Sequence, residues 1–269
     1  MKKKVSAGLL MLGLMSASLA ARADTIAYAT IDYGSFGTLD LTTGAYTNSF
    51  SLPGTLAGLG VDNGKLYGAL LNGSALYTIN PATKTFTSVN TGITFYDFGS
   101  TLNLLYAMNA SGELYSINPQ TNAVVNIGNV GLGSILQDYN NLSVNSATLY
   151  FANQNTSTNQ STLYSVNTSN AHLTTIGTLT NQQYTALLAT NGTLYAVSQN
   201  INTYDVAGHT ESAGFAITGS GGQGAYGLAP DPVPAVPLPP SVALLLSGVS
   251  LMIFVVRRRP RRDMGLPAA

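Results

Sequence analysis

The chain has 269 residues, a formal net charge of zero and no cysteine, so an exported form has no disulfides and must be held by its core and its hydrogen bonds. The neutrality conceals a partition. Nine of the eleven basic residues lie within 2–22 and 257–262, whereas from Asp24 to Ala235 two lysines face ten acidic side chains, a net charge of −8. A region with that balance and no arginine carries no electrostatic footprint for nucleic acid or an anionic membrane surface.

At the N-terminus, Lys2-Lys3-Lys4, an apolar stretch over 5–20 and Ala21-Arg22-Ala23 ahead of Asp24 have the order of a secretory signal peptide. The small residues Ala21 and Ala23 mark cleavage after Ala23, which makes 1–23 the signal peptide. Its expected partners are the Sec translocon and signal peptidase.

From Asp24 to Asp231 the chain repeats itself. Leu76-Tyr77-Thr78-Ile79-Asn80, Leu114-Tyr115-Ser116-Ile117-Asn118 and Leu163-Tyr164-Ser165-Val166-Asn167 share one pattern, with weaker copies at Thr38-Leu39-Asp40 and Asn202-Thr203-Tyr204-Asp205. The closing Asx positions are 40, 80, 118, 167 and 205, and the one long interval is explained by an insertion over 155–160. Ahead of each copy the pattern predicts another strand, over 26–31, 65–70, 104–108, 148–152 and 193–197, and further upstream a small apolar one such as 57–61. Four short strands per unit of about 40 residues is the period of a β-propeller blade. The expected fold is therefore all-β, a five-bladed β-propeller over 24–231, with a β-sandwich or β-helix as the structural alternative. Because the chain starts on a second strand and ends on 225–229, which reads as the missing first strand, the two termini are expected to share one blade. An Asx residue fits the end of the third strand because its side chain accepts a hydrogen bond from the backbone two residues on. The repeats resemble lactonase-like and quinoprotein-like propellers in style, without a strict WD, kelch or NHL signature.

The chemistry-bearing residues are sparse. His172 and His209 both fall in the turn after an Asx residue, which marks them as surface turn residues, and Asp62-Asn63-Gly64 reads as a hairpin turn rather than a calcium loop. No catalytic residue, metal site or cofactor is assigned. The candidate ligand-binding set is Tyr96, Asp97, Asp138, Tyr139, Gln183 and Tyr184, joined by Gln223 and Tyr226, because these lie before or on the innermost strands. There they would ring one mouth of the central channel, where aromatic faces beside polar groups suit a sugar. The other reading is that the tyrosines pack between blades. The leading function is a non-enzymatic binding module for neutral or basic polysaccharide. Its rival is a carbohydrate hydrolase or lyase, or a lactonase, using Asp97 and Asp138 as acid and base.

The C-terminal 38 residues are an address. A Pro-rich linker over 232–241 ends in Val236-Pro237-Leu238-Pro239-Pro240-Ser241, an apolar run covers 242–256, and Arg257, Arg258 and Arg259 open a basic tail over 257–269. Proline keeps the motif extended, in the form a processing enzyme reads. Fifteen apolar residues span about 22 Å as a helix, short of a hydrocarbon core of about 30 Å. The arginines act as a membrane stop that keeps the tail cytoplasmic. This order of parts resembles the PEP-CTERM sorting signal of Gram-negative bacteria, in its Val-Pro-Leu-Pro variant. The resemblance implies recognition by an exosortase, transient anchoring in the inner membrane by the C-terminal transmembrane helix, then release to the cell surface or extracellular matrix and an association with exopolysaccharide and biofilm.

Overall fold

A computed structural model describes residues 26–231 except 33, 101–103, 134–139, 146–147, 156, 159, 180–183 and 191. The signal peptide, the linker and sorting motif, the apolar run and the basic tail therefore lie outside the described residues, as do Asp138, Tyr139 and Gln183. The domain is a five-bladed β-propeller, each blade a four-stranded antiparallel sheet. The chain opens with β1 (Ile26–Ile31), β2 (Ser35–Asp40) and β3 (Tyr46–Ser51). Blade two holds β4 (Leu56–Asp62), β5 (Lys65–Leu70), β6 (Ala75–Asn80) and β7 (Thr85–Asn90). Blade three holds β8 (Asp97–Ser100), β9 (Leu105–Met108), β10 (Glu113–Asn118) and β11 (Ala123–Asn129). Blade four holds β12 (Asn140–Asn145), β13 (Thr148–Asn155), β14 (Gln160–Val166) and β15 (Leu173–Leu179). Blade five holds β16 (Ala186–Thr190), β17 (Thr193–Val197), β18 (Asn200–Asp205) and β19 (Thr210–Ala216). The last strand, β20 (Ala225–Pro230), returns to become the inner strand of the first blade.

That return closes the ring as the sequence pattern predicts. β20 pairs antiparallel with β1, Tyr28 opposite Ala229 and Ala29 opposite Leu228, with a bulge at Thr30 and Ile31. Pairing the two ends in one sheet covers the edge of β1 that would otherwise stand open in a three-stranded first blade. The expected second strands are found at their predicted bounds in β1, β5 and β17. β9 starts one residue later than predicted, and β13 runs three residues further, to Asn155. The extension has a visible cause, since Asn155 pairs with Gln160 at the end of a longer hairpin, the site of the insertion.

Each junction between neighbouring blades is filled by its own apolar cluster. Alternate residues of one strand face opposite neighbours: on β5, Leu66 packs toward the first blade and Tyr67 and Ala69 toward blade three. The inner strands are buried on both faces and read as near-continuous apolar runs, such as Leu56 to Val61, rather than alternating ones. Burying one such leucine is worth about 1.5–3 kcal/mol.

At the face opposite the channel mouth, five equivalent turns join the third and fourth strands. The carboxyl or amide oxygens of Asp40, Asn80, Asn118, Asn167 and Asp205 accept the N–H two residues on, at 2.8–3.1 Å. Four residues after each Asx the backbone is left-handed, at Gly44, Lys84, Asn122, Ala171 and His209, with φ between 52° and 75°. His209 is thus a turn residue, as predicted. Asn63 and Gly64 have φ of 48° and 72° between the paired Asp62 and Lys65, a hairpin turn with both central residues left-handed.

Around the channel the inner strands approach so closely that side chains are excluded. A Cβ on Gly58 would lie 2.1 Å from the Phe98 carbonyl oxygen, and one on Gly99 2.6 Å from that of Leu142. Gly58→Ala is therefore expected to lower unfolding stability by about 1–3 kcal/mol, the usual cost of overpacking. A denaturant midpoint equal to that of the parent would contradict this packing.

Candidate functional site

The mouth of the channel is the face where the inner strands begin. The hairpins between second and third strands lie on the same face, and Tyr96, just ahead of β8, is tied there by its N–H to the Met108 carbonyl at 2.8 Å. Tyr96 is half-buried, as is Tyr226 on β20, while Gln223 is exposed. These three of the predicted residues stand at the mouth with surface to offer.

Asp97 does not. It is fully buried, and its Oδ1 accepts two backbone hydrogen bonds at 2.8 Å, from Phe98 beside it and from Leu142 of blade four. Among the described residues nothing bonds Oδ2. Burial pushes the carboxyl well above the usual range, against the lowering effect of the two N–H donors. Asp97 thereby bridges the inner strands of blades three and four.

Other junctions use the same device. Ser100 Oγ accepts the Val61 N–H at 2.8 Å, joining blades two and three, and Ser143 Oγ accepts the Ala189 N–H at 2.8 Å, joining blades four and five. Thr185 donates its hydroxyl to the Ala225 carbonyl, joining blade five to the first blade. At the remaining junction glycine meets glycine: a Cβ on Gly227 would lie 3.1 Å from Gly58 Cα.

Tyr184 is also fully buried, a correction to its expected place as a stacking surface. Its hydroxyl donates to Glu211 Oε1 and accepts from Asn202 Nδ2 at 2.6 Å, and the same amide reaches Glu211 at 2.8 Å. Burial first, and then the Glu211 carboxylate, push the Tyr184 phenol well above its ordinary value. This tyrosine packs between blades four and five.

One polar group at the mouth face was not read from the sequence. At the hairpin between β9 and β10, Tyr115 Oη donates to Glu113 Oε2 at 2.7 Å and Asn109 Nδ2 donates to the same oxygen at 2.8 Å. These bonds hold Glu113 below the usual carboxylate range, while desolvation and Glu113 push Tyr115 up to about 12. The signal was Glu113 two residues before Tyr115 on the same face of a strand, behind a hairpin asparagine.

The geometry defines the class of molecule: a five-bladed propeller whose inner strands are bridged by short polar side chains, Asp97 and Ser143 buried and Ser100 and Thr185 partly so. No protein-family model and no curated protein matches the sequence, so the likenesses are of fold. One is to a chain in the crystal structure of a nidogen–laminin complex, at 10% identity and a TM-score of 0.53, covering 76% of this chain and 97% of that one. Another is to a structural genomics protein of unknown function from Bacteroides thetaiotaomicron, at 15% identity and a TM-score of 0.51, covering 62% of this chain and 49% of that one. This chain therefore spans about half of the Bacteroides protein.

The bridge at Asp97 sets a test. Asp97→Ala leaves two buried N–H groups without an acceptor and should cost roughly 2–5 kcal/mol. Asp97→Asn keeps the acceptor. Since the folded state holds the acid protonated to higher pH than the unfolded chain, ionisation weakens the parent as pH rises above about 4. Asp97→Asn should thus gain on the parent progressively from pH 4 upward in urea unfolding. A constant difference across pH would mean that Asp97 is not buried as described.

Proposed function

We propose that the chain is an exported, exosortase-sorted β-propeller that acts as a non-enzymatic binding module at the cell surface or in the extracellular matrix. The observation that carries the non-enzymatic part is the commitment of Asp97. The rival reading, a hydrolase, lyase or lactonase, requires Asp97 and Asp138 to face a substrate. A carboxyl with no exposed surface, holding two blades together, is poorly placed for that work.

The sorting part rests on the sequence and gains support from the chain path. β1 begins and β20 ends at the face of the Asx turns, opposite the mouth. Val236 follows Pro230, the last residue of β20, by six positions. A domain held by 242–256 in the inner membrane would then turn its Asx face toward the bilayer and leave its mouth free. Exosortase would cut at the segment 236–241, between domain and anchor, after the Sec translocon and signal peptidase have handled 1–23. Intact mass of the protein recovered outside the inner membrane is expected to begin at Asp24 and to end between Pro237 and Ser241. Retention of 242–256 would reduce the tail to an ordinary anchor.

The ligand of the mouth is proposed to be a neutral or basic polysaccharide. A net charge of −8 over 24–235 repels acidic polymers, and half-buried tyrosines at a rim suit stacking on a sugar ring. One such contact contributes about 1 kcal/mol, so affinity at a single site is weak and a repeating polymer raises it by avidity. Tyr96→Ala should weaken binding in a glycan panel about fivefold with the melting temperature unchanged. Tyr184→Ala should instead lower stability by about 3–5 kcal/mol, as for a large buried aromatic. Loss of stability in Tyr96→Ala equal to that in Tyr184→Ala would assign both to blade packing and withdraw the mouth as the site.

A further inference from the structure

The outermost strand of every blade has an open edge, and four of the five break its regularity. The pairs β2 with β3, β10 with β11, β14 with β15 and β18 with β19 each carry a register shift, at Phe36 and Gly37, Leu114 and Tyr115, Leu163 and Tyr164, and Ile201 and Thr203. A bulge twists an edge and interrupts its outward row of donors and acceptors, which discourages another strand from adding to it. The pair β6 with β7 has none: its register runs unbroken from Ala75 opposite Asn90 to Asn80 opposite Thr85. β7 is exposed at all six positions, Thr85-Phe86-Thr87-Ser88-Val89-Asn90, and contains no charge, proline or glycine. Phe86 and Val89 are two of the large apolar side chains left exposed, at 39% and 40%.

We propose that β7 is a dimerisation edge that pairs antiparallel with β7 of a second copy of this chain. The Thr91 N–H bonds inward to the Ser74 carbonyl, so by the alternation of an antiparallel ladder Thr85, Thr87 and Val89 also bond inward to β6, and Phe86, Ser88 and Asn90 turn their N–H and C=O outward. A twofold axis normal to the sheet and centred on Ser88 satisfies all of these outward groups at once. Ser88 then exchanges both bonds with the partner's Ser88, and Phe86 and Asn90 exchange theirs with the partner's Asn90 and Phe86. In the closer positions between them Thr87 meets the partner's Val89 twice, a favourable β-branched pair. Lys84 falls opposite the partner's Gly92, so the arrangement sets no like charges across from each other. This self-matching is why a second copy, rather than an unrelated strand, is the occupant: the contact is isologous and closed, and it consumes the edge that would otherwise go on adding strands.

Ser88 gives a decisive test, because on the axis any charge meets itself, while its exposed side chain and outward N–H contribute nothing to the blade. Sedimentation velocity of the full chain in density-matched detergent should show a monomer–dimer equilibrium that shifts with concentration. Ser88→Lys and Ser88→Glu should each weaken dimerisation more than tenfold, with the parent's melting temperature at concentrations low enough for the parent to be monomeric too. An equimolar mixture of S88K and S88E should restore the dimer. A parent that stays monomeric at several hundred micromolar overturns the proposal, even if other proteins add to the edge. So does self-association that survives both charge substitutions, association beyond the dimer, or a mixture that fails to re-form it.

Discussion

The fold depends on how closely five inner strands can approach around one axis. At the tightest contacts there is no room even for a Cβ, and glycines stand there: Gly58 and Gly99 against the backbone of the next blade and Gly227 against Gly58. Close approach excludes water from the backbone there, and a buried N–H without a partner costs about as much as a lost hydrogen bond. Short polar side chains resolve the conflict. Ser100, Asp97, Ser143 and Thr185 each reach a backbone group of the adjoining inner strand, so the polar residues at the channel are part of the scaffold before they can be part of a site.

This ordering explains what was legible in the sequence and what was not. The repeat, its phase and the closure of the ring rest on local signals: a Leu-Tyr pair, an Asx residue that bonds two positions on, and a final strand of the inner type. Such signals depend on residues a few positions apart, and the five Asx turns reproduce them at near-identical distances. The roles of Asp97 and Tyr184 depend on partners 45 and 27 residues away, Leu142 and Glu211. Position before an inner strand says that a side chain is near the channel, but its burial is decided by the neighbouring blade. Tyr96 and Tyr226 also lie before or at the start of inner strands and are only half-buried, a distinction no single-strand pattern contains.

The division of labour between faces follows from the same chain path. Inner strands start at the mouth and end at the Asx turns, so both ends of the domain leave on the turn face. Segments attached at either end of the domain therefore leave the opposite face, with Tyr96 and Tyr226, uncovered. The charges do not follow that division: Lys65 and Lys84 share the turn face with Asp40, Asp62 and Asp205, while Glu113 is held ionised at the mouth face by Tyr115 and Asn109.

If the inner-strand bridges hold the ring as one unit, the amides they satisfy should open only when the whole domain unfolds. Residue-resolved hydrogen exchange at Val61, Leu142 and Ala189, with Leu228 on the closing strand for comparison, measures this directly. The account requires all four to exchange with a single free energy equal to that of global unfolding and to respond alike to added denaturant. Separate opening energies, blade by blade, would contradict it and would make the propeller a chain of independent sheets.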